Sequence, residues 1–95
     1  MISEKEIEMT LTAKVKSMGG IAPKFVSPGL DGVPDRIILL PEGKIAFAEL
    51  KAPGKKPRPL QERRKAQLEM LGFKVFCVDA EEQIGEILDE IKSHT

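Results

Sequence analysis

Hydrophobic residues recur every three or four positions near the start of the chain, which is the spacing of one face of an α-helix. This face carries Ile7, Leu11, Val15 and Met18. Ser3 and Glu6 fit a capping box, in which two side chains satisfy the free amide groups at a helix start. Because Gly19 and Gly20 then break the pattern, the sequence predicts an amphipathic first helix that ends at these glycines.

Shorter β-prone runs follow this helix. Residues 21–26 predict a first strand, and residues 35–40 with residues 45–50 predict a β-hairpin that turns at residues 41–44. Between them, residues 27–32 contain one proline and two glycines that interrupt regular structure. This loop is either a plain connector or a segment whose backbone amides approach a phosphate.

The register of the hairpin decides which side chains share a face. Side chains alternate across a strand, so Glu49 and Lys51 project from the same face at the strand end. A three-residue loop pairs Leu40 with Lys44. In that register Asp35 lies directly opposite Glu49, whereas a four-residue loop turns Asp35 away.

The second half of the chain alternates helix and strand. Pro59 suits the first turn of a helix that runs to Leu71 and ends at Gly72. We expect its buried stripe to consist of Leu60, Leu68 and Leu71 with Ala66 or Met70. Residues 73–78 are almost all apolar and predict a buried central strand. A closing helix carries Ile84, Ile87, Leu88 and Ile91 on its apolar face.

This order of elements predicts an α/β fold with a central mixed β-sheet. The segment from Ile45 through the second helix to Phe73 should form a right-handed parallel crossover. The 95 residues are enough for one small domain, residues 1–95, whose modest core makes a partner subunit reasonable.

Charge is distributed unevenly along a chain whose net charge is zero. Residues 51–65 contain seven basic residues, and residues 79–95 contain six acidic ones. The basic stretch includes a loop rich in proline and glycine, residues 52–59, which suits contact with a phosphate backbone. The chain has no Tyr or Trp, which argues against a base-stacking platform for single strands.

Several kinds of chemistry are excluded by composition. Cys77 is the single cysteine, so an intrachain disulfide or a thiolate metal cluster cannot form. His94 lies in a terminal tail, and we expect neither histidine catalysis nor histidine metal ligation. No apolar run reaches membrane-spanning length, and the acidic start does not resemble a signal peptide. We expect a cytoplasmic protein of a bacterial or phage-infected cell, without membrane contact or organic cofactor.

Two carboxylates at adjacent strand ends form a pocket of hard oxygen ligands that suits Mg²⁺ or Mn²⁺. With the amine of Lys51 two residues after Glu49, this combination suits metal-assisted cleavage of a phosphodiester. The alternative is that Glu49 and Lys51 form an exposed ion pair, which contributes little to stability.

The residues also resemble a known family. Pro34-Asp35 followed by Glu49-Leu50-Lys51, with a spacing of 14 between the acids, resembles the PD-(D/E)XK nuclease signature. The longer strings SPGLDGVPDRI and AFAELKAPGKKPRPLQ are similar to the VRR-NUC branch of that superfamily, and the resemblance runs from about Ile7 to Val78. It implies a restriction-endonuclease-like α/β/α sandwich and a DNA endonuclease that depends on Mg²⁺ or Mn²⁺.

The resemblance also implies roles for individual residues. The metal ligands would be Asp35, Glu49, the backbone carbonyl of Leu50 and Glu8 of the first helix, with Glu4 as the alternative to Glu8. Lys51 would orient or deprotonate the attacking water. Gln61 would support the site, or else form a hydrogen bond at a helix start. Independently of the resemblance, Arg36 follows Asp35 and so faces the opposite side of the strand, where it would form an ion pair with an acid of the sheet edge or a helix, or contact phosphate.

The DNA backbone would be held by Lys55, Lys56, Arg58, Arg63 and Arg64. A free-standing domain resembles the phage members of the branch, which are similar to Holliday-junction resolvases and would act as two-fold homodimers. Two alternatives remain open. One is a nuclease for flaps or nicked duplex, or a repair or restriction enzyme with another subunit, and the other is a non-catalytic nucleic-acid-binding module.

Overall fold

The computed structural model describes residues 2–94, so Met1 and Thr95 lie outside the described residues. The helices are α1 (Glu4–Ser17), α2 (Pro59–Met70) and α3 (Glu82–Ser93). The strands are β1 (Arg36–Leu40), β2 (Lys44–Leu50) and β3 (Lys74–Val78). In chain order the elements are α1, β1, β2, α2, β3 and α3.

A three-stranded mixed sheet with the strand order β1-β2-β3 forms the centre of the molecule. The prediction of a buried central strand at residues 73–78 is wrong, because β3 lies at the edge of this sheet and is only partly buried. β1 and β2 are antiparallel and are joined by the short 3-10 turn Pro41–Gly43. β2 and β3 are parallel, and the chain passes between them through α2. The predicted hairpin, the parallel connection and the mixed sheet are therefore confirmed.

Local signals set both ends of α1. The hydroxyl oxygen of Ser3 accepts a hydrogen bond from the amide of Glu6 at 3.2 Å, which is the predicted N-terminal cap. At the other end, Gly19 adopts a φ of +84°, a conformation that glycine takes without a steric cost. The amide of Gly20 then donates to the carbonyl of Val15 at 3.0 Å, and the helix ends as predicted.

The hydrophobic core lies between one face of the sheet and the helices α1 and α3. The helices contribute Ile7, Leu11, Val15, Ile84, Ile87, Leu88 and Ile91, all buried. The sheet contributes Ile38, Leu40, Ala46, Ala48, Leu50 and Val78. Burial of one such large aliphatic side chain contributes about 1.5–3 kcal/mol. The apolar faces predicted for the first and last helices are confirmed.

Residues 21–26 do not form the strand that the sequence predicted. Two isolated bridges, Ile21 with Leu39 and Lys24 with Arg36, pair this segment with the edge of β1, and the amide of Ile37 donates to the carbonyl of Pro23 at 3.0 Å. Pro23 lies between the two bridges and has no amide hydrogen to donate, which interrupts a regular ladder. The segment still follows β1 and covers the backbone of its outer edge.

α2 lies on the face of the sheet opposite to α1 and α3, which completes an α/β/α sandwich. The buried stripe predicted for this helix is wrong, because no residue of α2 is buried. Leu60, Leu71 and Met70 are 40%, 67% and 89% exposed. The partly buried positions are Gln61, Arg64, Lys65 and Leu68. α2 therefore turns a largely polar side toward the sheet.

None of the helices within residues 2–94 combines the length and the hydropathy that crossing a membrane requires.

Candidate active site

The hairpin register brings two carboxylates together at one end of the sheet. Leu40 pairs with Lys44, so the connecting loop has three residues. Asp35 then lies opposite Glu49 on the same face, and the two side chains interact. Oδ2 of Asp35 accepts a hydrogen bond from the amide of Leu50 at 2.8 Å, which fixes the carboxylate against β2. The register that joins the two acids is confirmed.

Glu49 is buried, and only one of its two carboxylate oxygens has a hydrogen-bond partner. It is 5% exposed, and it is the one charged residue that is buried within residues 2–94. Its Oε2 accepts a hydrogen bond from Nε2 of Gln61 and lies 3.2 Å from Nζ of Lys51. Its Oε1 is buried without a hydrogen-bond partner. A buried oxygen of this kind is costly unless a ligand, a proton or an ion satisfies it.

Burial raises the pKa of the Glu49 carboxyl above its ordinary value of 4.5, and the neighbouring charge of Asp35 raises it further. Lys51 acts in the opposite direction through its hydrogen bond and its positive charge. The two acids therefore repel one another in a site from which water is largely excluded. A divalent cation would offset this repulsion and satisfy the free Oε1, so these residues fit a hard cation that takes oxygen ligands.

Lys51 is held in place from two sides. Its amide donates to the carbonyl of Val78 at 3.0 Å, which continues the pairing of β2 with β3 past the end of the strand. Its amine lies 3.2 Å from Glu49, and its side chain is 17% exposed. The ion pair of Glu49 and Lys51 is thus mostly buried and not the exposed surface pair of the alternative interpretation.

Gln61 connects α2 to the site. Its Oε1 accepts a hydrogen bond from the amide of Arg58 at 2.9 Å, which is a bond at the helix start. Its Nε2 donates to Glu49. The predicted hydrogen bond at the helix start is confirmed, whereas active-site support by Gln61 stays a prediction, and each of the two bonds orients the amide for the other.

Glu8 is not brought together with Asp35 and Glu49. It forms an ion pair with Nη2 of Arg36 at 3.2 Å, and Nη1 of Arg36 donates to the carbonyl of Ala22 at 2.8 Å. Arg36 follows Asp35 and therefore points to the opposite face of the sheet. Its ion pair with Glu8 confirms the predicted pairing with a helix acid. No cluster of three or more His, Cys, Asp or Glu side chains able to hold a metal occurs within residues 2–94. The ligand role of Glu8, or of Glu4, stays a prediction.

Two residues that sequence reasoning did not place at the site lie beside it. Lys65 and Cys77 line a cavity of about 10 Å³ together with Glu49 and Gln61. Lys65 follows Gln61 by four positions, which is the spacing that puts two side chains on one helix face. The sequence therefore contained a signal that Lys65 lies beside Gln61. Cys77 lies beside Glu49 in the parallel register, which the sequence does not reveal. Burial raises the pKa of the Cys77 thiol, which keeps it neutral.

The predicted DNA-contacting residues divide into two groups. Lys55, Lys56, Arg58 and Arg63 are exposed, and they take no part in the ion pairs found within residues 2–94. Arg64 is partly buried, and its guanidinium donates to the carbonyl of Asp31 and to the side chain of Gln67. The four exposed residues are therefore available for phosphate contact, and this role stays a prediction.

Comparison with known proteins places the chain in a family. No family model matches the chain. The chain is 52% identical over 82 residues to "Putative nuclease p44" of Acyrthosiphon pisum secondary endosymbiont phage 1, and the match covers 86% of this chain and 88% of the relative. A solved structure described as "VRR_NUC domain" has a TM-score of 0.84 and 29% identity, over 90% of this chain and 94% of that chain. The chain belongs to the VRR-NUC family of nuclease domains.

Proposed function

We propose that this chain is a metal-dependent DNA endonuclease that hydrolyses phosphodiester bonds. The observation that carries the proposal is the convergence of Asp35, Glu49 and Lys51 at one end of the hairpin. The free Oε1 of Glu49 supports a metal site there. The name of the phage relative, which the chain matches over most of its length, supports nuclease activity.

Mg²⁺ or Mn²⁺ would be held by Asp35, Glu49 and the backbone carbonyl of Leu50. When bound, the ion supplies a Lewis acid for the phosphoryl oxygen and lowers the pKa of a water molecule. Mg²⁺ keeps several waters and needs only one or two carboxylates, so two acids are sufficient. The oxygen ligands of this site suit such an ion better than a soft metal.

The other residues of the site would act on the water and on the developing charge. Lys51 orients the attacking water or takes its proton, and its positive charge offsets negative charge on the phosphate in the transition state. Gln61 holds the Glu49 carboxylate in one orientation through its amide. Fixed donors of this kind act strongly in a site that excludes water, because they need not reorganise during the reaction.

Lys55, Lys56, Arg58 and Arg63 would bind the phosphate backbone on either side of the scissile bond. Contacts of this kind give affinity without sequence preference and weaken as salt is added. We propose a branched substrate, with the four-way junction as the first candidate, and a homodimer that makes two symmetric cuts. The setting would be the cytoplasm of a bacterial or phage-infected cell.

A cleavage panel tests this function. The substrates are a four-way junction, a flap, a splayed arm, a nicked duplex and a linear duplex, each with Mg²⁺, with Mn²⁺ and with EDTA. We expect metal-dependent cleavage that is lost in Asp35→Ala, while binding to the same DNA is retained. Binding without cleavage of any substrate would support the non-catalytic module, and preference for the flap or nicked duplex would overturn the junction as substrate.

A further inference from the structure

The segment that leads into Asp35 is fastened to the beginning of α2. Nε of Arg64 donates a hydrogen bond to the carbonyl of Asp31 at 2.8 Å, across 33 positions of sequence. A second nitrogen of the same guanidinium donates to the side chain of Gln67, one turn further along α2. The planar guanidinium is therefore oriented from both sides and ties the loop to the helix.

Gly32 makes the second contact between the loop and α2. It adopts a φ of +78°, and a Cβ atom at this position would lie 2.9 Å from the carbonyl oxygen of Leu60 and 2.8 Å from its Cγ. Any larger residue would push the loop away from the helix, so only glycine permits this close approach. Arg64 and Gly32 are thus neighbouring parts of one clamp between loop and helix.

Each partner of this clamp continues directly into the active site. Asp35 follows Gly32 by three residues and interacts with Glu49. Gln61 follows Leu60 and donates to the same carboxylate. No residue of α2 is fully buried, and Leu68 is the one apolar residue of this helix that is partly buried, so polar contacts such as the clamp contribute to fixing its position. The clamp therefore sets how two separate elements meet at Glu49.

We propose that Arg64 is a positioning residue of the nuclease site and not a phosphate contact. It holds α2 against residues 31–34 so that Gln61 and Asp35 reach Glu49 in one fixed geometry. The inference rests on the proposed function. It changes the role that the sequence predicted for Arg64, because the guanidinium already donates to Asp31 and Gln67.

Arg63 provides a matched control one residue away. It is exposed, and it takes no part in the ion pairs found within residues 2–94. Arg63→Ala and Arg64→Ala remove the same charge from the same helix. Only the second removes the clamp, so a difference between the two variants isolates positioning from charge.

The first measurement separates kcat from KM with the preferred DNA substrate at saturating metal. For Arg64→Ala we expect kcat to fall about 10- to 100-fold with KM little changed, since small displacements of a reacting group have effects of this size. For Arg63→Ala we expect a higher KM, a weaker dependence of binding on salt and an unchanged kcat. Gly32→Ala should reproduce the Arg64→Ala result.

Arg64→Lys distinguishes the clamp from a phosphate contact. Lysine binds phosphate well as a point charge, but it lacks the fork that contacts Asp31 and Gln67 together. We expect Arg64→Lys to lose kcat as Arg64→Ala does. A fully active Arg64→Lys variant, or an Arg64→Ala variant that behaves like Arg63→Ala, would overturn the proposal.

The second measurement needs no activity. Amide hydrogen exchange of the DNA-free chain should become faster at residues 31–33 and 60–62 in Arg64→Ala and Arg64→Lys, but not in Arg63→Ala. If the wild-type chain cleaves no substrate, the proposed function fails while this measurement still tests the clamp. Unchanged exchange in the Arg64 variants, or unfolding of both of them, would refute the positioning role.

Discussion

Glu49 is the residue on which the site depends, because its two oxygens have different environments. Oε2 accepts from Gln61 and contacts Lys51, whereas Oε1 is buried without a partner. A purely structural acid would be expected to have both oxygens satisfied, since unsatisfied buried groups cost stability. The unsatisfied Oε1 is therefore an observation in favour of the proposed cation site.

Substitution of Lys51 tests whether this single side chain contributes to catalysis. Its amine faces Glu49 and not the exposed loop, so Lys51→Ala should leave DNA binding nearly unchanged. We expect kcat to fall about 10²- to 10⁴-fold, which is the usual contribution of a positioned acid-base group. The check is single-turnover cleavage beside a DNA-binding titration.

Lys55→Ala is the control for this prediction, because Lys55 is exposed on the basic loop. It should weaken DNA binding and leave the single-turnover rate unchanged at saturating enzyme. If Lys51→Ala weakens binding and spares the rate in the same way, Lys51 is another phosphate contact.

The raised pKa of Glu49 also predicts that the stability of the folded chain depends on pH. Burial and Asp35 raise the pKa of Glu49 in the folded chain above its ordinary value of 4.5. The folded chain therefore binds this proton more tightly than the unfolded chain, so the stabilisation is complete below the ordinary value. It is lost as the pH rises through the raised value.

The comparison that checks this dependence is wild type against Glu49→Gln in EDTA. Relative to the variant, we expect the free energy of unfolding of the wild-type chain to fall as the pH rises above the ordinary Glu49 pKa of 4.5. Urea unfolding at a series of pH values measures this difference. Parallel pH curves for the two proteins would show that Glu49 titrates normally.

At the scale of elements, the sequence predicted those features that depend on local pattern or spacing. The apolar stripe at Ile7 and Leu11 marked α1, and the two β-prone runs marked the hairpin. The spacing of the hairpin allowed two registers, and the three-residue loop that brings Asp35 to Glu49 is the one observed. Spacing alone could not decide between them, because turn geometry fixes the loop length.

α2 shows where a sequence pattern misleads. Its leucines suggested a buried stripe, yet Leu60 and Leu71 are largely exposed while Gln61 and Arg64 turn inward. Polar residues occupy this face of α2 because the helix lies against the carboxylate of Glu49 and the backbone carbonyl of Asp31. Those partners are distant in sequence, so no local periodicity reveals them.

The turn of the hairpin carries a residue in an unfavourable backbone conformation. Glu42 has a φ of +70°, the left-handed region, where a residue with a long side chain is disfavoured and asparagine is tolerated. We expect Glu42→Asn to raise the free energy of unfolding by about 0.5–1 kcal/mol without changing the register. Urea unfolding measures the change.

Glu69→Asn in α2 is the matched control, because the same substitution in an exposed helical position lowers helix propensity. It should reduce stability slightly. A loss of stability in Glu42→Asn as large as that in the control would show that the side chain of Glu42 contributes more than its backbone conformation costs.

Across the molecule as a whole, several large apolar side chains are exposed. Ile21, Leu71 and Met70 are 62%, 67% and 89% exposed, and Phe73 and Ile45 are also exposed in part. Their burial in a second copy would recover part of the stabilisation that a small core lacks. α2, which has no buried residue in the single chain, would gain packing in the same contact.

A homodimer of this kind gives a prediction for mass and for the pattern of cuts. We expect the wild-type chain to sediment with twice the mass of one chain at micromolar concentration, and a double variant Met70→Asp, Leu71→Asp to sediment as a monomer. The variant should still nick DNA, since the carboxylates are intact, but it should lose paired cutting of a four-way junction.

The control is the substitution Met9→Asp on α1. Met9 is 60% exposed, and this variant should remain dimeric. Because a two-fold assembly repeats the same patch on both copies, one pair of charges placed there is repeated across the interface. A wild-type chain that is monomeric and still makes two symmetric cuts would show that the exposed residues of α2 have another use.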